Sequence, residues 1–420
     1  MDFDLSEEQR LLKESVDGLL SRLLRLRCSA RNTWRRRAAG AKRVWSKLAE
    51  QGLLGLPFSE DDGGFGAGAV ETMIVMEALG KALVLEPYLA TVVIGGGFLR
   101  HGGSAEQKAA HIPGIIDGSK TFAFAQLEKN SRYDLSDVAT TAKKKGAGWV
   151  IDGEKFVVLN GETADTLIVT ARTKGGQRDA SGIGVFLVPG ECQGRRAERA
   201  IRPRTACMPP TSPSPASRSA RMPRSAIPRT ALPLIERVVD DARTAMCAEA
   251  VGAMDESLKT TVEYLKTRKQ FGVPIGSFQT LQHRAADMFV AVEQARSMSM
   301  FATMAADFDD AKERATAVAA AKVQIGKSRK VRRPAVDPAP WRHRHDPGGQ
   351  DRPLLQAADH DREQLLATPT TTCAASPTAA GWFKATRLVI ARESGHPDAA
   401  AIRIQLVVRR LDRPASSRGA

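Results

Sequence analysis

The densest run of chemistry-bearing residues is Tyr264-Leu265-Lys266-Thr267-Arg268-Lys269-Gln270-Phe271-Gly272-Val273-Pro274-Ile275, followed by Phe278, Gln279 and Gln282. Arginine presents a rigid, planar fork of donors suited to phosphate oxygens. Gly272 and Pro274 make a turn that frees backbone groups beside that fork. Other candidates are weaker. His343, His345 and His360 could be taken for a metal site, but Pro and Arg surround them without the helix or hairpin needed to aim the rings, so no metal is expected. The five cysteines (Cys28, Cys192, Cys207, Cys247, Cys373) lie far apart with no CxxC spacing, which argues against a disulfide framework or a zinc site and for reduced thiols. The turn Asp61-Asp62-Gly63-Gly64-Phe65-Gly66 is not a dinucleotide fingerprint, because no strand precedes it and no βαβ unit surrounds it.

Three blocks must position these residues. The first, 1–118, reads as helical: Phe3, Leu5, Leu11, Leu12, Val16, Leu19 and Leu20 fall near helical spacing. Val44–Leu54 and Val70–Leu85 continue the pattern, and Tyr88–Leu99 leads to a helix start at Ser104, with Gln107 three residues on. The second block, 119–232, changes period. Thr121–Leu127, Trp149–Ile151, Lys155–Leu159, Thr166–Ala171 and Gly182–Val188 are short and rich in β-formers, with Asp152-Gly153 as a type I′ hairpin turn. Antiparallel sheet or barrel is expected there. In the third block, 233–328, Ile235, Val238, Val239, Ala242, Ala245, Met246 and Ala250 form one apolar stripe, and Phe278–Met304 and Ala311–Ile325 follow as helices, which implies a bundle. The expected fold is mainly α with a central β domain.

The net charge of +15 is concentrated in three stretches, 23–43 (+8), 192–232 (+8) and 329–420 (+7). Their joint surplus exceeds the total, so the remaining framework is acidic by 8. A nucleic-acid-binding face would spread over the framework, and none is expected. No run of 18 apolar residues suggests a membrane span, and the charged N-terminus lacks the pattern of a signal peptide; a cytoplasmic protein is expected.

The order helices, sheet, helix bundle resembles that of the acyl-CoA dehydrogenases, and Tyr264–Gln282 resembles their Y-x-x-x-R-x-x-F-G-x-x-I-x-x-x-Q signature. The resemblance implies FAD as cofactor: Arg268 at its diphosphate, Phe271 on the adenosine half, Gln279 bonded to it, all serving the FAD of a neighbouring subunit. The family's flavin-cradling Thr-Glu-Pro corresponds to Leu127-Glu128-Lys129, the following Ser-Asp to Tyr133-Asp134, with Tyr133 on the substrate side, and Trp-Ile-Thr-Asn-Gly to Val157-Val158-Leu159-Asn160-Gly161. The hydroxyls are replaced at these positions, so contacts to the flavin would run through backbone N–H groups. Pro57 with the Asp62–Gly66 turn resembles the family's Pro…Tyr-Gly-Gly-x-Gly.

The implied reaction oxidises the Cα–Cβ bond of an acyl-CoA thioester: a carboxylate removes the α-proton while a hydride leaves the β-carbon for flavin N5. Glu363 and Glu393 lack family context, so no catalytic base is assigned. The resemblance further implies an electron-transfer flavoprotein as partner and a homo- or hetero-oligomer. The departures near the flavin point to a divergent branch, such as the small subunit of a pimeloyl-CoA dehydrogenase, or to a non-catalytic partner subunit.

The three basic stretches are dense in Arg, Pro, Ala, Ser and Thr, and lack helical or strand period, the composition of disordered linkers. Translation in a shifted frame, which would leave the chain impaired as written, is a sharper reading; 23–43 shares the composition but yields no comparable decoding. Thr211–Leu232, displaced by two bases, permits VTFAGVKVGKDAAIGDPENG; Arg333–Asp346, displaced by one, permits QQSIQLHGGIGMT, which resembles the family's Q-x-H-G-G-x-G-x-T motif. Sequencing of the coding DNA is expected to show small insertions or deletions bracketing these stretches. An intact single frame, with peptide masses matching residues 195–229, overturns that expectation.

Overall fold

The computed structural model describes residues 4–29, 43–131, 134–145, 148–156, 158–161, 163–190, 220–222 and 231–336. The expectations for Phe3, Tyr133, Val157, the histidine cluster, Glu363, Glu393 and the bulk of the three basic stretches lie outside these residues.

The helical block begins with α1 (Glu7–Ser29) and α2 (43–50). Ser6 caps α1: its Oγ accepts from Gln9 N at 3.2 Å, and Gln9 returns an acceptor to Ser6 N. Val16 and Leu20 are buried, whereas Leu11, expected in the apolar stripe, is 60% exposed. The glycine turn is tight as expected, because a Cβ on Gly64 would lie 2.3 Å from the Phe58 carbonyl. α3 (Ala69–Ala82) stops short of the expected Leu85, since Leu83 takes a left-handed conformation that ends it. A π-helical turn, Leu89–Gly95, runs into α4 (Gly96–Gly102). α5 (Ala105–Ile116) opens with the expected Ser104/Gln107 capping box.

The sheet differs from expectation in two ways. First, it is mixed: β1 (Phe122–Ala125) runs parallel to β4 (Thr166–Arg172), which pairs antiparallel with β5 (Ile183–Pro189). β2 (Thr141–Lys145) pairs antiparallel with β3 (Gly148–Asp152), and β3 with β6 (Ala220–Met222). β2 joins β4 through Thr141 and Arg172. Second, Asp152-Gly153 is not a hairpin turn. Gly153 leaves the sheet beside Thr140, where a Cβ would lie 2.4 Å from Oγ1, and the segment 153–156 is irregular. The lysine-rich β2 was hidden because its side chains are exposed except at Ala142.

α6 (Ala231–Thr267) is the spine. Its first half joins the core of the N-terminal helices; its second half joins the core formed with α7 (Gln279–Ala305) and α8 (Ala311–Val336). Regular structure therefore enters all three basic stretches, through the end of α1, through β6 and through the end of α8. α3 crosses α6 at two glycines: a Cβ on Gly80 would lie 2.0 Å from the Glu249 carbonyl oxygen, and one on Gly252 1.9 Å from that of Glu77. At the crossing Arg296 of α7 donates to Glu77 at 3.0 Å and to Asp255 at 2.9 Å. Among the described residues no helix is long and apolar enough to cross a membrane.

Gly252→Ala and Gly80→Ala force the two helices apart and are expected to cost about 3 kcal/mol or more each, read by denaturant unfolding. Gly326→Ala on α8, with nothing within 4 Å of the new methyl, is expected to leave stability unchanged or raise it by up to ~1 kcal/mol.

Candidate functional site

The string singled out in the sequence folds into the end of α6, a two-residue hairpin and the start of α7. β7 (Lys269–Gln270) pairs with β8 (Val273–Pro274) around Phe271-Gly272, whose φ values of 53° and 81° are those of a type I′ turn. Ile275 N closes the loop by donating to the Arg268 carbonyl at 2.8 Å. Glycine adopts this conformation freely; at Phe271 the left-handed backbone costs about 1–2 kcal/mol. That ring is nonetheless 92% exposed and meets Phe278 edge-on, with centroids 6.3 Å apart. Tyr264 and Val273 are exposed beside it. Arg268 and Gln279 are also exposed, and among the described residues the Arg268 guanidinium has no hydrogen-bond or ionic partner. Gln282, by contrast, is committed to the Gly276 carbonyl at 2.8 Å.

The second cluster lies where β1 exits the sheet. Leu127, Val158 and Leu159 are half-buried. Glu128, expected at the cofactor, turns into the protein instead. Its carboxylate accepts from the backbone N–H groups of Ala139 (2.7 Å) and Thr140 (3.1 Å) and from Lys155 Nζ (2.7 Å). A carboxylate needs this many donors to leave water, and few are left for a ligand. Lys155 also donates to the Gln126 carbonyl (3.2 Å) and to Thr170 Oγ1 (3.0 Å). Burial alone would raise the Glu128 pKa, but the charge and hydrogen bond of Lys155, with the Thr140 and Ala139 donors, hold it below its ordinary value. Burial lowers Lys155 to about 8, against the opposing pull of Glu128. Sequence reasoning placed Lys155 only as the first residue of a strand; a lysine among β-formers at the edge of an apolar run was the available signal.

Nearby, Arg172 donates to four carbonyls, those of Ser136, Gln177, Asp179 and Ser181, at 2.6–2.8 Å. Among the described residues, Gln126 Nε2 is buried without a hydrogen-bond partner. The unpartnered Gln126 donor, buried at the sheet, and the exposed, uncommitted Arg268 fork are of the donor chemistry that the acceptor-rich flavin dinucleotide implied by the resemblance needs; the Glu128 carboxylate does not contribute to that fit.

Comparison with known proteins bears on the whole chain. Residues 6–119, 123–209 and 232–330 match, in turn, the N-terminal, middle and C-terminal domains of acyl-CoA dehydrogenase. The chain belongs to the acyl-CoA dehydrogenase family. It is 30% identical over 277 residues to acyl-CoA dehydrogenase FadE12 of Mycobacterium tuberculosis (strain ATCC 25618 / H37Rv), covering 64% of this chain and 69% of the relative. It is 28% identical over 312 residues to probable acyl-CoA dehydrogenase YngJ of Bacillus subtilis (strain 168), covering 73% and 81%. Its fold is similar to butyryl-CoA dehydrogenase from Megasphaera elsdenii (TM-score 0.72, 21% identity, 91% of this chain and 100% of that one). It is also similar to PigA in its FAD complex (TM-score 0.70, 25% identity, 86% and 94%). Within this acyl-CoA dehydrogenase frame, the Glu128–Lys155 pair falls in the middle domain and the Arg268 hairpin in the C-terminal one.

Because the folded pKa of Glu128 lies below its unfolded value, its contribution to stability is present above the unfolded pKa and is lost as pH falls through the folded one. Between about pH 6 and about pH 3, the thermal unfolding midpoint of Glu128→Gln is expected to fall less steeply than that of the wild type.

Proposed function

We propose that this chain is an FAD-dependent acyl-CoA dehydrogenase, oxidising the Cα–Cβ bond of an acyl-CoA thioester to the 2-enoyl-CoA. The observation that carries the reading is the hairpin at Phe271, where a strained, exposed ring sits beside an arginine fork with no partner of its own. Local stability disfavours both features, and a ligand or subunit that covers them accounts for both.

In this reading Arg268 holds the diphosphate, Phe271 covers the adenosine half and Gln279 hydrogen-bonds to it, on the FAD of a neighbouring subunit. The backbone of Leu127 and of Val157, Val158 and Leu159 flanks the ring system, and Tyr133 faces the acyl-CoA. Glu128 acts from behind, holding the backbone in place. Bound FAD would accept the hydride. The chain's own part is to orient the thioester, exclude water and keep the isoalloxazine against apolar side chains in place of hydroxyls. An electron-transfer flavoprotein is the expected electron acceptor, in the cytoplasm, and a dicarboxyl thioester such as pimeloyl-CoA is a narrower substrate reading. A shifted frame in stretches 192–232 and 329–420, with 23–43 alike in composition only, would lower the activity of the chain as written.

Purified protein is expected to be yellow, to release FAD on denaturation and to reduce a dye acceptor when given acyl-CoA. Arg268→Ala is expected to weaken FAD binding by about tenfold or more, the loss of a charge-assisted hydrogen bond. A folded, colourless protein overturns the reading in favour of a non-catalytic partner subunit.

A further inference from the structure

The Lys155 ammonium has three N–H bonds and three acceptors, which lie on two pieces of chain. Gln126 O and Glu128 Oε1 belong to the segment leaving β1, and Thr170 Oγ1 belongs to β4. Glu128 carries the connection on to the turn entering β2, through Ala139 N and Thr140 N. Next to Lys155, Phe156 N donates to the Leu127 carbonyl at 2.8 Å. Both side chains of the ion pair are 8% exposed. Thr140 is held from the far side by Gly153, which no larger residue could replace without displacing it.

The segments joined in this way, 126–128 and 155–156, contain or border the stretches that the proposed function places along the flavin. We propose that the Lys155–Glu128 pair is a positioning device for FAD: it fixes the spacing of the two backbone segments that flank the isoalloxazine, and FAD affinity depends on Lys155 keeping all three of its hydrogen bonds. This rests on the FAD reading above and adds to it a residue pair and a pH dependence.

The dependence follows from counting hydrogens. An ammonium donates three charged N–H bonds; a neutral amine has two N–H bonds and a lone pair, so the set must rearrange, with either one acceptor released or the Thr170 hydroxyl turned to donate, and the bond to Glu128 loses its charge assistance. Burial brings that loss to about pH 8. Glu128 is the charged group that acts on Lys155. Arg172, two residues after Thr170 on β4, is turned to its four carbonyls, and the flanking Asp152 and Glu154 are exposed. A purely structural ion pair would shift the unfolding temperature without placing an inflection in cofactor affinity.

The test measures the FAD dissociation constant of the full-length protein by quenching of flavin fluorescence, from about pH 6.5 to about pH 9.5, with circular dichroism at each point. The expected result is a weakening of roughly three- to tenfold centred at about pH 8, the size of one lost hydrogen bond, with unchanged secondary structure. The double variant Lys155→Met/Glu128→Gln, which leaves no unpaired buried charge, is expected to bind FAD more weakly at pH 7 and to lack the inflection. A wild-type affinity that is constant across the range overturns the positioning role while leaving the FAD reading intact. An inflection that survives in the double variant also overturns it. A chain that binds no FAD at any pH overturns both.

Discussion

The contact on which the rest of the structure depends is the crossing of α3 and α6 at Gly80 and Gly252. Each helix lays a bare backbone carbonyl where the other would carry a Cβ, within about 2 Å of that position. So close an approach brings Glu77 within reach of Arg296, which also holds Asp255. Three helices are thereby locked at one point, and the burial that would disfavour the Glu77 carboxylate is outweighed by Lys81 and Arg296. From this crossing α6 extends both ways. Toward its N-terminus, Val238 packs against α4 near Gly97; toward its C-terminus it delivers the Phe271 hairpin. The hairpin half of the candidate site is thus carried at the end of an element anchored in the N-terminal core.

The sheet is stabilised differently. It is small, and its apolar cluster holds few large side chains apart from Phe186, with Trp149 packed on it edge-on at 5.2 Å. Much of its definition comes from buried polar groups: Arg172 collects four carbonyls, and Glu128 and Lys155 tie strand to turn. Buried charges contribute specificity more than stability, and only when every donor and acceptor is matched. That is why the irregular segment after Gly153 can hold a fixed course without strand pairing.

The layer order, the long helices and the Ser104 cap were legible because they rest on periodicity and local hydrogen bonding. The ends of helices were less so: α3 stops at Ala82 through the left-handed Leu83, which composition does not announce. The mixed sheet was not legible, since parallel pairing of β1 with β4 joins residues more than forty positions apart. At the site, Arg268 and Phe271 were found as a string and lie together at one hairpin. Glu128 was singled out by its place in the Thr-Glu-Pro-like string, with backbone contacts expected; the course of its carboxylate, inward to Ala139, Thr140 and Lys155, depends on residues distant in sequence and was not legible.

Phe271 also bears on how this protein would respond to selection. Replacing it by glycine or asparagine would relieve a left-handed backbone and remove an exposed ring, gaining about 1 kcal/mol and reducing self-association. Any screen for expression, solubility or heat resistance of the lone chain would therefore favour its loss, as would design software scoring that chain by itself. Under the proposed function, engineering efforts on this scaffold should hold position 271 fixed, because the pressure that would keep phenylalanine there acts from outside the polypeptide that carries it.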